Sequence, residues 1–196
     1  MAESVEDIET EISQIQKRLF ADKARLAELR LSLPKRPIAD YELAGPGGSR
    51  VHLSEFFGGR EDLLLIHNMG ARCTYCTLWA DGFNGVLDHL QNRAAVALIS
   101  PDSPDSQAKF ATSRGWRFRM VSAEGSTINA DLAMVGEDGV SAYPGVSALS
   151  RTSDGEISLV AQSYFGPGDD FCSVWPLLDL LDGGAKGWEP QYKYTD

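Results

Sequence analysis

Apolar residues recur every three or four positions along the first part of the chain, from residue 4 to residue 33. This spacing places them on one face of a helix. Ser4 and Asp7 have the spacing of a capping box, and Pro34 ends the helix because proline pushes the preceding residue out of helical geometry. Asp22 is the one polar residue in the apolar seam. The other seam residues are Val5, Ile8, Ile12, Ile15, Leu19, Leu26, Leu29 and Leu33. The seam predicts a coiled-coil arm that makes the protein a homodimer, or a helix that folds back on its own domain.

A continuous apolar run over residues 63 to 66 predicts a strand that is buried on both faces. Gly70 breaks this run, and Cys73 and Cys76 follow it two residues apart. Apolar residues then return with helical spacing as far as Leu90. The predicted order is strand, loop, Cys-x-x-Cys and helix, with Cys73 just before the helix and Cys76 in its first turn.

The rest of the chain alternates between strand and helix patterns. We expect a linker over 34–37, a hairpin from 41–43 and 50–53, a strand over 94–99, a helix over 103–115, a strand over 117–121, a hairpin from 146–149 and 157–160, and a helix over about 170–181. This order predicts an α/β, thioredoxin-like fold, in which a central mixed sheet is flanked by helices. The predicted domains are an N-terminal amphipathic helix with its linker, 1–36, and a thioredoxin-like domain, 37–196.

Composition restricts the class of partner and the compartment. The 196 residues carry a formal net charge of −10, which disfavours binding to nucleic acid or to an anionic membrane. The acidic N-terminus does not resemble a signal peptide, and no apolar stretch has the length of a membrane span. We therefore expect a reducing cytoplasm, where a close pair of cysteines is catalytic or metal-binding rather than a structural disulfide.

The position of the two cysteines predicts thiol–disulfide chemistry. The N-terminus of a helix stabilises negative charge, so a thiolate there has a lowered pKa, and Arg72 adds a positive charge beside Cys73. Cys73 would attack a disulfide, and Cys76 would resolve the mixed disulfide. The expected substrate is a protein or small-molecule thiol or disulfide, and no cofactor or metal is expected. A second Cys-x-x-Cys pair, which would indicate zinc, does not occur.

The motif and its surroundings resemble a known family. The matching segments are residues 70–76, 79–85, 115–116, 121–122, 129–131, 144–147 and 164–166. Over roughly residues 38 to 195 the chain is similar to the domain of unknown function 899 family. This resemblance implies a thioredoxin-like fold and a dithiol–disulfide oxidoreductase or isomerase whose substrates are undefined.

The likeness to thioredoxins implies roles for Pro144 and His67, and a third candidate, Trp79, follows the dithiol on the predicted helix. Pro144 matches the cis-proline that thioredoxins place beside the dithiol for substrate docking, although Pro-Gly also suits an ordinary trans turn. His67 stands six residues before Cys73, where thioredoxins carry a buried Asp, and is either a base for Cys76 or a hydrogen-bonded core histidine. Trp79 lies either in the core or in the wall of the substrate cleft.

Other functions stay open at this level. A peroxiredoxin-like peroxidase would need a threonine three residues before its nucleophile, where this chain has Gly70. A metal carrier would bind through Cys73 and Cys76, with a histidine completing the site. The domain could also be a binding module with a vestigial dithiol. We expect the lone Cys172 to be a small buried hydrophobe rather than a third redox thiol.

Overall fold

The computed structural model describes residues 4–139 and 141–195. Residues 1–3 of the predicted N-terminal segment and the last residue of the predicted domain therefore lie outside the described part. The chain forms two compact units that separate between Lys35 and Arg36. The predicted linker, 34–37, is too long, because Arg36 and Pro37 already belong to the first strand of the second unit.

The first unit is one helix, α1 (Val5–Ser32). The capping box is present: the Ser4 hydroxyl accepts the Asp7 N–H at 3.1 Å, and the Asp7 carboxylate accepts the Ser4 N–H at 3.3 Å. Leu33 is extended and closes the helix directly before Pro34. None of the helix residues is buried, so the whole apolar seam faces outward.

The second unit alternates strands and helices along the chain. Its elements are β1 (Arg36–Ile38), β2 (Glu42–Ala44), β3 (Arg50–His52), β4 (Asp62–His67), α2 (Thr74–Gly85), α3 (Leu87–Arg93), β5 (Ala95–Ser100), α4 (Pro104–Arg114), β6 (Arg119–Ser122), α5 (Ile128–Asp131), β7 (Gly145–Arg151), β8 (Ile157–Tyr164) and α6 (Val174–Leu178).

The strands form one mixed sheet in the order β1-β8-β7-β4-β5-β6-β2-β3. Strands β4, β5 and β6 are parallel, whereas β7 runs antiparallel to both β4 and β8. A parallel half and an antiparallel half thus meet at β4, as in the predicted thioredoxin-like fold, which the structure confirms. The parallel strands end at one edge of the sheet, and the loop that carries the dithiol leaves β4 at this edge.

Two cores cover the two faces of the sheet. Alternate residues of β4 divide between them, because successive side chains of a strand point to opposite faces. Leu63 and Leu65 pack into the first core, and Ile66 packs into the second. The first core also contains Phe57, Ile99, Ile128, Leu132 and Met134. The second contains Trp79, Ala80, Leu87, Leu98 and Phe165, so α2 covers this face.

Two predicted helices differ from those observed. The helix after the dithiol divides at Val86, whose backbone angles of −109° and 12° separate α2 from α3. The last helix, expected over about 170–181, covers only Val174–Leu178. Asp169 accepts the backbone N–H groups of Gly166 and Phe171, at 2.9 and 2.7 Å, and such local bonds compete with helix formation.

We predict that a protein beginning at Arg36 folds without α1, because the second unit contains the whole sheet and both cores. Its thermal unfolding should stay cooperative, with a midpoint within about 3 °C of that of the full chain. Circular dichroism against temperature measures this. A matched protein beginning at Asp40 would lose the pairing of β1 with β8 and should be less stable. An insoluble or non-cooperative protein from Arg36 would contradict the prediction.

Candidate active site

The dithiol lies in the turn that joins β4 to α2. Cys73 is the N-cap of α2, and its sulfur accepts the backbone N–H of Cys76 at 3.0 Å. Cys73 is partly exposed and Cys76 is buried, and both are free thiols. The predicted placement of the two cysteines at the helix start is therefore what the structure shows.

Asn68 ties the loop to the strands and to the first turn of α2. Its N–H donates to Ile99 O at 2.9 Å, and its side-chain oxygen accepts the Gly70 N–H at 2.8 Å. Its amide nitrogen donates to Cys76 O at 3.4 Å. One buried amide thus holds the backbone on both sides of Cys73.

Asp102 fixes the middle of the loop from the neighbouring strand. Its carboxylate accepts the Ala71 N–H at 2.8 Å and the Ser100 hydroxyl at 3.2 Å. Gly70 has a φ of 108°, and a Cβ at this residue would lie only 2.9 Å from Asp102 Oδ2, so the close approach requires glycine. Asp102 was not predicted as a site residue, although it follows a strand parallel to β4 and the carboxyl ends of such strands share an edge.

The two thiols have opposite pKa shifts. A hydrogen bond from the Cys76 thiol, helped by backbone N–H groups of Cys76 and Tyr75, lowers the pKa of Cys73 to about 7, although partial burial opposes the change. The same hydrogen bond and burial raise the pKa of Cys76 well above its ordinary value. Near neutral pH the negative charge therefore belongs to Cys73.

The positive charge of Arg72, which was predicted to lower the pKa of Cys73, is not among the causes of that shift. The groups that lower this pKa all lie in the first turn of α2. Arg72 directly precedes Cys73 and is exposed. Trp79 is only 3% exposed, with its ring 5.6 Å from that of Phe165 and 5.7 Å from that of Trp175. Of the two interpretations of Trp79, the structure favours the core.

His67 belongs to the face of the sheet opposite α2, because it alternates with Leu63 and Leu65. Its Nδ1–H donates to Asn129 Oδ1 at 3.3 Å, and its Nε2 accepts from the Ser147 hydroxyl at 2.8 Å. Burial lowers the pKa of His67 to about 4, so the ring is neutral at physiological pH. Both nitrogens are engaged away from the dithiol, which favours the hydrogen-bonded core histidine over the base.

Pro144 directly precedes β7, whose first residue, Gly145, pairs with His67 and Tyr164. The proline thus lies at the edge of the sheet where the dithiol loop begins, as the likeness to thioredoxins implied. The predicted cis bond is wrong, because the peptide bonds of the described residues are trans. Pro144 O accepts the Phe165 N–H at 3.0 Å, and this bond continues the β7–β8 ladder in the trans geometry.

Tyr192 packs the C-terminal segment against α4, within electrostatic range of the dithiol, and this was not predicted from the sequence. Burial, and after it the negative charge of the dithiol, raises the pKa of Tyr192. Arg114 donates to Tyr192 O at 2.8 Å, and the Phe110 ring lies 6.1 Å from the tyrosine ring. No sequence pattern links a C-terminal tyrosine to a motif more than 100 residues earlier.

Two further features of the sequence concern Cys172 and a possible metal site. Cys172 is buried in the second core, and burial raises its pKa, so it fits the predicted small hydrophobe. Within residues 4–139 and 141–195, no three His, Cys, Asp or Glu side chains are grouped to hold a metal ion. Over the same residues, no helix is both long and apolar enough to cross a membrane.

Comparison with sequence families and solved structures gives one family and one fold. The family model described as "Bacterial protein of unknown function (DUF899)" matches residues 8–195 and thus extends into α1, further than the resemblance over 38–195 suggested. No curated protein matches the chain.

Several solved structures share the fold. Peroxidoxin BcpB from Mycobacterium tuberculosis is 23% identical with a TM-score of 0.54, over 66% of this chain and 84% of that one. A PrxQ mutant from Xylella fastidiosa is 16% identical, with the same TM-score and coverage. A hypothetical protein from Sinorhizobium meliloti is 17% identical with a TM-score of 0.50, over 83% of this chain and 90% of that one. At these identities the likeness establishes the fold.

Proposed function

The chain belongs to the DUF899 family of bacterial proteins of unknown function, and from the dithiol at the start of α2 we propose that it is a thiol–disulfide oxidoreductase, of the dithiol–disulfide oxidoreductase or isomerase type. One observation carries the proposal. The Cys73 sulfur caps the helix, accepts the Cys76 N–H and receives a hydrogen bond from the Cys76 thiol. One turn of helix thus holds a partly exposed nucleophile and a buried second thiol in contact.

The reaction has two exchange steps. The Cys73 thiolate attacks one sulfur of a substrate disulfide, so that a mixed disulfide forms and the other substrate sulfur leaves as a thiolate that takes up a proton. Cys76 then loses its proton and attacks the Cys73 sulfur, which releases the second substrate thiol and leaves a Cys73–Cys76 disulfide. The substrate gains two electrons, which an external dithiol donor restores to the protein. In isomerisation, a different thiol of the same substrate instead attacks the substrate sulfur of the mixed disulfide, so that a new substrate disulfide forms and Cys73 leaves as the thiolate.

A redox titration tests the proposal. The full chain is equilibrated with dithiol–disulfide buffers, alkylated, and its remaining thiols are counted by mass spectrometry. Cys73 and Cys76 should disappear together at one potential, within about −120 to −270 mV, while Cys172 stays reduced. Insulin reduction with dithiothreitol as donor should accelerate with the protein and not with its Cys73→Ser variant. Loss of one thiol alone, or of none, would contradict the proposal.

The surroundings of Cys73 support proposed roles for the other predicted residues. We place Arg72 and Pro144 in contact with substrate, since both lie at the edge that carries the dithiol and neither is buried. Trp79 would act indirectly, because its packing against Trp175 in the second core supports α2, which carries the dithiol. Assistance of Cys76 by His67 stays a prediction, although the hydrogen bonds of this ring point elsewhere. A reducing cytoplasm stays the proposed compartment because a free dithiol persists there.

A peroxiredoxin-like peroxidase is the second candidate, because peroxidoxins share the fold. We predict that peroxide turnover is slower than that of peroxiredoxins by about 10²-fold or more, the usual effect of removing one group that polarises the transition state. Gly70 replaces the expected threonine, and Asp102 leaves no room for a side chain there. Thioredoxin-coupled peroxide consumption measures the rate, with the insulin assay as the control for active protein. Turnover at peroxiredoxin-like rates would contradict this prediction.

We also propose a homodimer formed through α1, because its regular seam is exposed along the whole helix. Glutamate substitutions at Ile12 and Ile15 should convert the dimer into a monomer, since they place charges in the seam. Sedimentation velocity measures the mass. A glutamate at Thr10, which lies outside the seam, is the control and should leave the dimer intact. An unchanged mass in the double variant would contradict the proposal.

A further inference from the structure

The apolar seam of α1 has the seven-residue repeat of a coiled coil. This repeat gives each residue beside the seam a defined position in the heptad. Val5, Ile12, Leu19, Leu26 and Leu33 occupy the first position of each heptad, and Ile8, Ile15, Asp22 and Leu29 the fourth. The residues beside such a seam, at the fifth and seventh positions, meet the same positions of a partner helix and decide its direction. Their charges can therefore be compared for the two possible directions.

The charges beside the seam differ between the two ends of α1. Toward the N-terminus they are negative, at Glu9 and Glu11. Toward the C-terminus they are positive, at Arg18, Lys23, Arg25 and Arg30. All of these side chains lie on the surface of the helix. A second copy of the helix presents the same uneven charge.

A parallel pair would bring like charges together. In that direction each seventh position faces the fifth position of the partner's next heptad. Arg18 would then face the partner's Lys23, and Arg25 would face the partner's Arg30. Symmetry repeats each contact, so four pairs of positive charges would repel each other.

An antiparallel pair brings opposite charges together. Here fifth positions face fifth positions, and seventh positions face seventh. When Ile15 packs against the partner's Leu19, Glu9 faces the partner's Lys23. In the same register Glu11 faces the partner's Arg25. Symmetry again doubles the contacts, which gives four attractive pairs and one like pair, Arg18 with its own copy.

We propose that α1 is an antiparallel docking surface for a second copy of this chain, in the register that places Ile15 against the partner's Leu19. A shift by one heptad sets Arg18 against the partner's Arg25 in one sense, and in the other sense it leaves only the Glu11–Arg18 contacts attractive. The register with four attractive pairs is therefore favoured by charge, as is the antiparallel direction. Asp22 lies opposite the partner's Ile12 and weakens the pair, as single polar residues in a seam do. Because a helix of this length rises about 1.5 Å per residue, the two C-terminal ends of α1 lie roughly 45 Å apart.

Reversing the charge of one residue should weaken an antiparallel dimer and strengthen a parallel one. Lys23→Glu in the full chain turns two attractive pairs into repulsive ones in the antiparallel dimer, but it relieves Arg18 in a parallel dimer. We expect the dissociation constant to rise roughly tenfold, from the usual contribution of surface ion pairs. Lys17→Glu, the same charge change on the outer face, is the matched control and should change it little.

The reverse exchange completes the test. Glu9→Lys alone should weaken the dimer, and Glu9→Lys with Lys23→Glu should restore it. Sedimentation equilibrium in reducing buffer gives the dissociation constants, and circular dichroism shows whether each variant keeps its helix. A tighter dimer in Lys23→Glu would establish the parallel direction and overturn the proposal. A monomeric parent protein, or a dimer that none of these charges affects, would also overturn it.

Discussion

Replacing Cys76 by serine should trap a stable mixed disulfide on Cys73, whereas replacing Cys73 by serine should slow turnover by on the order of a thousandfold or more. The buried Cys76 thiol is the group that breaks the mixed disulfide, so its loss stops the reaction after the first step. A serine hydroxyl at position 73 is not ionised near neutral pH and cannot replace the thiolate. Mass spectrometry of the protein after reaction with a model disulfide measures the trapped adduct.

The structure also predicts how the trapped thiol titrates. The Cys76 thiol is the largest cause of the lowered pKa of Cys73, which is about 7. A Cys76→Ser variant keeps a hydroxyl donor and should keep the Cys73 pKa low, whereas Cys76→Ala removes the donor and should raise it. Iodoacetamide alkylation against pH, followed for each cysteine by peptide mass, separates the two variants. If Cys76 of the parent protein reacts first, the order of attack is reversed.

Acid should destabilise the fold through His67, by up to about 3 kcal/mol between pH 7 and pH 4. The ring is 2% exposed, and burial lowers its pKa to about 4, below the ordinary value of 6.5. Between these values the unfolded chain binds a proton that the folded chain does not. Stability is therefore complete above pH 6.5 and is lost as the pH falls toward 4.

Burial is the main cause of the lowered pKa of His67, whereas the hydrogen bond with Asn129 opposes it. Asn129 Oδ1 holds the Nδ1–H, and Ser147 directs its hydroxyl at Nε2 while its oxygen accepts from Gln162 Nε2 at 2.9 Å. A second proton, on Nε2, would face the Ser147 hydroxyl hydrogen. The charged ring would also lose hydration in the core.

A His67→Gln variant isolates this group from the other acid-sensitive residues. It should be less stable at pH 7, because a flexible amide replaces the bonded ring, but its stability should depend less on pH between 6.5 and 4. Urea unfolding followed by tryptophan fluorescence measures both quantities. If the free energy of unfolding changed equally with pH in the variant and the parent protein, His67 would not take up a proton on unfolding.

The sequence was most informative where one short pattern determines the local structure. The apolar run before Gly70 and the helical spacing after Cys76 set the strand, the turn and the helix start, and the structure has all three. The α1 capping box, Ser4 with Asp7, is equally local. In each case the interacting residues lie within about one turn of each other along the chain, so their spacing is sufficient.

Features that depend on distant residues could not be predicted in this way. His67 was aligned with a thioredoxin aspartate by its distance from Cys73, but its partner Asn129 lies 62 residues away. Tyr192 is held against α4 because its carbonyl accepts from Arg114, 78 residues earlier. The strand at Arg36 exists because β8 offers it an edge. Spacing along the chain carries no information about such contacts.

The contact between Gly70 and Asp102 restricts how this chain could change during evolution. A threonine at position 70 would meet the Asp102 carboxylate and would also need a backbone angle that favours glycine. Such a substitution would release the Ala71 N–H and loosen the start of α2 before it offered any benefit with peroxides. Position 102 would have to change first, to a smaller residue that leaves room and still accepts the Ala71 N–H. Laboratory evolution toward a peroxidase should therefore accept substitutions at 102 before those at 70.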